Sequence, residues 1–462
     1  VQAKGKLLSI EKIRSKEPEI KGDLISMKYQ VDGEEVQLAY SYDFPVSMDR
    51  QDLRLLSLIP LVNYSLFTEE IEADFPITKQ DYDFIKKMMV INSREIYVNK
   101  LLKRKEFFRE EYIPKTPSDE EASYSPRINI DLEQNTRSPY VNDGKGSVAI
   151  MSSGGKDSLL TYGIMKEVGA NVYPIFVNES GGHWKTARVA YDYFQANHEN
   201  TLRIWTTVDR FYRKMDSKIK ALNDKALTMW SDTYPIRLFI FPVYIFSSLP
   251  YFLKYGISGV MKGDEFDDPR SFVPEYGINH YYGIYDQTQS FDLALNSYFE
   301  SIGYGLKFYS ALRSITGLVE ENILFNRYPE LARLQRSCHS CHEENGQIIP
   351  CGRCTKCDGI LLFLTANSID PRIINYKEQD IADFQKTYHE RLFRLDRDEL
   401  DHSKFLISKG EYGKFNEHVE KIHEDSEFSN LQLIDERWRD KIVGILKEYT
   451  KGFTHLENGE WT

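Results

Sequence analysis

No cysteine occurs before residue 338 or after residue 357; all five lie between Cys338 and Cys357. A disulfide framework would spread cysteines across the fold. This distribution argues against one and points to metal in a reducing compartment, with a cytoplasmic location as the expectation. Positive charge is also in short supply: 59 Lys and Arg face 70 Asp and Glu, a net charge of −11. Such a chain is a poor general nucleic-acid binder, which leaves only a local basic groove for that role. Long apolar runs are missing too. The longest candidate, residues 238–253, contains Pro242 and Pro250 and reads as a buried helix, so no membrane partner is expected. Val1-Gln2-Ala3-Lys4 opens no apolar h-region, so no signal peptide is expected.

What remains is ordinary globular composition over 462 residues, enough for two or three domains and a large core. Residues 6–46 alternate in a strand-like way, and from Asp52 the apolar spacing turns helical. A further helix is predicted from Lys79, with Asp81 and Asp83 suiting its dipole. Residues 1–140 therefore read as an α+β module. Residues 116–127 and 138–146 are rich in turn formers and read as connections. From Ser147 the pattern becomes strand, glycine loop, helix, strand, helix, strand. That indicates an α/β fold with a doubly wound parallel sheet over residues 147–370, interrupted by a metal-binding insertion. Residues 371–462 read as a charged, mostly helical C-terminal region.

The apolar run Ser147-Val148-Ala149-Ile150-Met151 is followed by Ser153-Gly154-Gly155-Lys156-Asp157-Ser158 and then by helical spacing. Adjacent glycines let phosphate oxygens approach backbone amides, and a helix N-terminus offers free N–H groups. Ser153 and Ser158 can donate hydroxyl hydrogen bonds, Lys156 adds positive charge, and Asp157 orients the loop or holds Mg²⁺. This is not a Walker A loop, because Lys156 is followed by aspartate instead of Ser or Thr. It resembles the Ser-Gly-Gly-x-Asp-Ser signature of PP-loop ATP pyrophosphatases, which implies ATP cleavage between the α and β phosphates. The resemblance also places the second strand end, Phe176-Val177-Asn178, near adenine; plain core packing is the competing reading of Phe176.

Cys351, Cys354 and Cys357 form two overlapping Cys-x-x-Cys steps. Three thiolates at this spacing suit one Zn²⁺, with Cys338 or Cys341 as the fourth ligand and His339 or His342 as weaker options. A closed four-coordinate site would be structural. With four cysteines engaged only one is left, which disfavours sulfur transfer.

A PP-loop followed by Ser337-Cys338 and Cys351-Gly352-Arg353-Cys354-Thr355-Lys356-Cys357 resembles the 7-cyano-7-deazaguanine synthase (QueC) family over roughly residues 147–370. Tyr234-Pro235-Ile236-Arg237 resembles that family's Pro-x-Arg element, although Leu238 stands where Asn is usual. Residues 260–268, Val-Met-Lys-Gly-Asp-Glu-Phe-Asp-Asp, resemble its acidic substrate loop. The usual member is about half this length, so the resemblance is to an enlarged paralogue of the kind found in bacterial anti-phage (CBASS-type) systems.

The resemblance implies an ATP- and Mg²⁺-dependent ligase. A carboxylate, 7-carboxy-7-deazaguanine or similar, is adenylated and then attacked by ammonia or a partner protein's amine, giving an amide or nitrile. Lys156, Arg237 and Arg313 are the candidate cations, with Lys156, Asp157 and Arg237 expected at the chemistry. Asp264 and Glu265, with Asp267 and Asp268 nearby, are candidates to hold Mg²⁺ or to accept hydrogen bonds from a guanine-like substrate edge; a solvated acidic loop is the plain alternative. His183 and Trp184 lie where a substrate could stack, as weaker candidates. Two rival readings stay open: a tRNA-modifying PP-loop enzyme and a non-catalytic nucleotide-binding scaffold.

Overall fold

The alternation over residues 10–41 produces four strands: β1 (Ile10–Ser15), β2 (Glu19–Lys21), β3 (Leu24–Val31) and β4 (Glu34–Ser41). The computed structural model describes residues 4–142, 144–179, 182–224, 239–281, 284–338 and 340–462. Short strands β5 (Thr68–Ala73), β6 (Ile77–Thr78), β7 (Arg127–Asn129) and β8 (Leu132–Glu133) follow. The α/β portion then supplies β9 (Ser147–Ser152), β10 (Asn171–Asn178), β11 (Leu202–Thr206), β12 (Ile257–Met261) and β13 (Lys307–Phe308).

Eleven of these strands form one sheet. The order is β13-β12-β9-β10-β11-β4-β3-β1-β5-β7, with β2 beside β3. From β13 to β11 every pairing is parallel. The sheet continues beyond β11 into the N-terminal strands. β4 pairs antiparallel with β11 through Trp205↔Ser41 and Thr206↔Tyr40, so both portions share one mostly parallel sheet.

Strand β9 shows why the α/β run reads as continuously apolar. Val148 and Ile150 enter one core with the helix Lys156–Glu167, while Ala149 and Met151 enter the other with the N-terminal strands. A strand buried on both faces has no polar side to display. The apolar stretch near residue 240 is two short helices, Phe241–Ser247 and Leu249–Lys254, with a proline early in each; Leu238 lies outside the described residues.

The cysteine-rich segment folds as a small hairpin, β14 (His342–Glu344) and β15 (Gln347–Ile349), followed by the helix Thr355–Ala366. The C-terminal region is less helical than expected. It contains helices Glu378–Thr387, Arg397–Ser408 and Glu436–Lys447 plus a three-stranded sheet of β16 (Ile422–Glu424), β17 (Phe453–Glu457) and β18 (Glu460–Trp461). It packs into the same core as the helix Lys156–Glu167 through Ile422, Ile442 and Leu446. Among the described residues no helix is long and apolar enough to cross a membrane.

Candidate functional site

After β9 the chain moves outward through β10 to β11, and it later returns to the other side of β9 as β12. That reversal of strand order falls at the carboxyl ends of β9 and β12, where open α/β sheets usually have their ligand crevice. Two loops meet there: the glycine loop after β9 and the acidic loop after β12.

The glycine loop is shaped by close packing. Gly154 has φ +76°, and a Cβ there would lie 3.2 Å from Ala187 Cα and 3.3 Å from the Ala190 Cβ. The helix beginning at Lys156 has no side-chain cap. Three loop amides donate to hydroxyls at a long 3.4 Å: Ser153 N to Ser158 Oγ, Gly155 N to Ser153 Oγ, and Lys156 N to Ser337 Oγ. Such long contacts exchange readily for charged acceptors.

The acidic loop reaches the glycine loop because residue 263 is glycine. Gly263 has φ +75°, and a Cβ there would come within 3.1 Å of Asp157. Glu265 can therefore bond Lys156. The Lys156 ammonium also bonds Asp157, and it sits 2.8 Å from Glu320 Oε2. Burial opposes its charge, but the three carboxylates prevail and hold the lysine well above its ordinary pKa. Glu320, fully buried on the helix Gly317–Arg327, forms the floor. Asp157 and Glu265 side chains keep 36% and 40% exposure and form the mouth. Burial pushes the Glu320 carboxyl well up and its neighbour Glu321 up to about 8. Gln335 Nε2 donates to Glu321 Oε1 at 2.6 Å.

Asp264 lies deeper, in a balanced buried network. Lys262 Nζ contacts Asp264 at 3.2 Å and Asp292 at 2.9 Å, and Arg313 Nη2 donates to Asp264 at 2.9 Å and bonds Asp292. Arg313 thus lies behind the acidic loop, braced by carboxylates. Asp268 is also turned inward, bonded to Arg270 and to the Trp461 indole at 3.2 Å. Phe266 stacks on His423 with ring centroids 3.7 Å apart. The C-terminal region therefore clamps the acidic loop, and it sends Glu399 to accept from the Leu318 amide at the start of the Glu320 helix (3.1 Å).

Phe176 is fully buried against Tyr191 and Phe194, so its side chain packs in the core. Trp184 packs on Tyr191, with centroids 5.0 Å apart. Arg237, with Tyr234-Pro235-Ile236, and His339 lie outside the described residues, and the side chain of His183 is not described.

Cys338, Cys351, Cys354 and Cys357 bring their sulfurs within 4.8 Å of one another. Tetrahedral zinc with bonds of about 2.3 Å needs sulfurs roughly 3.8 Å apart, and Cys351 and Cys357 already stand at 3.9 Å. Amides of Ser340 and Cys351 donate to Cys338 Sγ at 3.2 Å, and that of Cys357 to Cys354 Sγ at 3.4 Å. Donors of this kind suit thiolates, so the group could hold a metal such as zinc. The fourth member is Cys338; Cys341 is buried nearby but is not one of the four.

Cysteine centre and glycine loop are joined directly. The Arg336 amide donates to Gly154 O at 3.0 Å, Ser337 holds the Lys156 amide, and Thr186 donates to Cys338 O at 3.2 Å. Glu320, Glu321 and Glu399 went unnoticed in the sequence. One signal was available for Glu320: it shares a helix face with the buried Ile323 and Leu324, where a glutamate is out of place.

Compared with protein-family models the chain matches none, and no curated protein matches it.

Proposed function

We propose that the crevice binds ATP and that the enzyme adenylates a carboxylate, releasing pyrophosphate. The observation that carries this reading is the glycine loop: its weakly held amides stand at an uncapped helix N-terminus, at the strand reversal, beside Lys156. Amides, helix dipole and ammonium together suit a pyrophosphate leaving group.

The chemistry follows from leaving-group ability. A carboxylate oxygen attacks the α-phosphorus, the bond to the β-phosphate oxygen breaks, and pyrophosphate leaves with the electron pair. The acyl adenylate is then attacked at carbon by ammonia or a protein amine, and AMP departs to leave an amide. A second adenylation, at the amide oxygen, followed by loss of AMP gives a nitrile. Mg²⁺ when bound neutralises phosphate charge. Asp157 and Lys156 act at the phosphates. The acidic loop borders the substrate position, where Glu265, partly exposed, accepts hydrogen bonds from a guanine-like edge. The resemblance of the two loops and the cysteine pattern to the QueC family supports 7-carboxy-7-deazaguanine, or a related carboxylate, as substrate. Zinc in the four-cysteine centre then has a structural role, propping the glycine loop through Arg336 and Ser337.

The test is incubation with ATP, Mg²⁺ and 7-carboxy-7-deazaguanine, with and without ammonium, reading AMP and pyrophosphate. Matched release of both, abolished by Asp157→Asn, is expected. No AMP under any of these conditions removes the reading, and release that depends on added tRNA would favour a tRNA-modifying enzyme.

A further inference from the structure

Basic residues are handled in two opposite ways in the N-terminal portion. On and just after β1, Lys12, Arg14 and Lys16 each meet a carboxylate of Glu70, Glu72 or Asp74 within 3.4 Å. That strip is neutralised within the chain. Residues 100–105 read Lys-Leu-Leu-Lys-Arg-Lys, four cations in six positions of a chain whose net charge is −11. Here the pairing is incomplete. Glu106 bonds Arg104, and Glu275 lies 3.7 Å from Lys103, but among the described residues no carboxylate pairs with Lys100 or Lys105. Lys100 is half-buried on the π-helical turn Tyr97–Leu102, a form that recurs at functional sites. Its ammonium and the Arg104 guanidinium share the Phe107 ring, at 5.8 Å and 4.5 Å from the centroid. Arg394, exposed and also without an ion-pair partner among the described residues, arrives from the C-terminal region, near enough for its charge to act on Lys100 and Glu106. Three cations therefore converge on one carboxylate. Burial, then the two arginines, push Lys100 down to about 8. An ammonium that has lost water and gained no counter-ion is costly, and a bound anion removes that cost.

We propose that Lys100, Arg104 and Arg394 form a binding site for the phosphate group of a small molecule. Guanidinium forks match two phosphate oxygens at once, and the lysine adds a point charge. Three cations against Glu106 leave a surplus of two positive charges, which matches the roughly −1.5 to −2 carried by a phosphomonoester at neutral pH. The three side chains gather about a single ring, and the chain as a whole is acidic, so a compact anion fits better than a polyanion. The site also has a place in the fold. Asp396, two residues after Arg394, accepts from the Asp268 amide of the acidic loop. Phosphate held between Lys100, Arg104 and Arg394 therefore bridges the N-terminal portion to the segment that clamps the acidic loop. The site is separate from the glycine loop and does not rest on the nucleotide reading above.

The experiment treats the full-length protein with an amine-acylating reagent near neutral pH while inorganic phosphate is titrated, and reads Lys100 modification by peptide mass spectrometry. Saturable protection of Lys100 is expected, beyond what chloride gives at equal ionic strength. Arg394→Gln should weaken the apparent phosphate affinity about tenfold. Glu106→Gln, which removes the opposing carboxylate, should tighten it several-fold. Both side chains are exposed, so neither change threatens folding. Lys156→Met should leave the protection intact. Protection fully matched by chloride would overturn the proposal, as would an affinity unchanged in both Arg394→Gln and Glu106→Gln. Loss of protection in Lys156→Met would place the phosphate at the glycine loop and overturn it too. A short RNA that protects Lys100 where inorganic phosphate fails would replace the small-molecule site with a nucleic-acid surface, which equally sinks it.

Discussion

Lys156 and Ser337 are 181 residues apart, yet the main-chain N–H of Lys156 donates to the Ser337 hydroxyl at 3.4 Å. Ser337 immediately precedes Cys338, so the first residue of the glycine-loop helix and the first sulfur of the cysteine centre hang on one short stretch of chain. Arg336 strengthens the link: its amide reaches Gly154 O, and its guanidinium donates to Ile348 O at 2.8 Å in the hairpin between the cysteines.

That link predicts a specific pattern in metal retention. Purified protein should carry about one zinc per chain by elemental analysis, the capacity of a single four-thiolate site. Cys338→Ser and Cys354→Ser should lose it, while Cys341→Ser should retain it. Chelation should also weaken ATP binding, because the segment holding Gly154 and Lys156 loses its anchor. Retention of zinc by Cys338→Ser together with loss in Cys341→Ser would reverse the ligand assignment.

Gly154 offers a second test. Alanine there meets both a positive φ and backbone of the helix Gly182–Asn197 at 3.2 Å, so the loop must move. Gly154→Ala should cost about 1–3 kcal/mol in denaturant unfolding and should abolish ATP binding. Gly169 has φ +94° with nothing within 4 Å of an added Cβ. Gly169→Ala therefore carries the backbone strain alone and should leave nucleotide binding intact.

Local pattern carried much of this architecture. The strand-loop-helix at β9, the Cys-x-x-Cys steps and the acidic loop each sit within a few residues, where spacing alone is informative. The joining of β4 to β11 was not legible. Two antiparallel partners more than 160 residues apart leave no trace in periodicity, and an edge and an interior position of β4 read alike. The C-terminal clamp was hidden for the same reason: the stack of His423 on Phe266 and the bond from Trp461 to Asp268 are purely tertiary. Residues 138–146 did read as turn-rich, but Arg137 just before them is fully buried, which composition could not show.

Arg137 ties that connection into the rest of the chain. Its guanidinium donates to Asp52 Oδ1 at 2.6 Å and to Asp81 at 3.0 Å, and Tyr298 donates to Asp81 at 2.6 Å. Asp52 and Asp81 come from two N-terminal helices and Tyr298 from the helix Gln289–Ser301. Removing one partner strands the others without water. Arg137→Ala should destabilise the protein by about 3–5 kcal/mol in urea unfolding. A loss below about 1 kcal/mol, the scale of an exposed pair, would mean that water reaches the network.

Glu95 predicts how stability depends on pH. It is buried on the helix Lys79–Ile96 and accepts from the Tyr281 amide at 2.9 Å and from Asn99 Nδ2 at 3.0 Å. Burial outweighs both bonds and raises its carboxyl to about 8, against 4.5 for an ordinary glutamate. The folded state therefore holds a proton that the unfolded chain has released. This contribution to stability is fully present below about pH 4.5 and is lost as pH rises through about 8. Within that window one group costs up to roughly 1.4 kcal/mol per pH unit. Glu95→Gln keeps the shape and an acceptor for Tyr281 but cannot ionise. Relative to wild type it should be close to neutral near pH 5 and stabilising at pH 8–9, with a flatter curve of melting temperature against pH. If the variant and wild type instead run parallel from pH 5 to 9, Glu95 is ionised in the folded protein and burial does not dominate its titration.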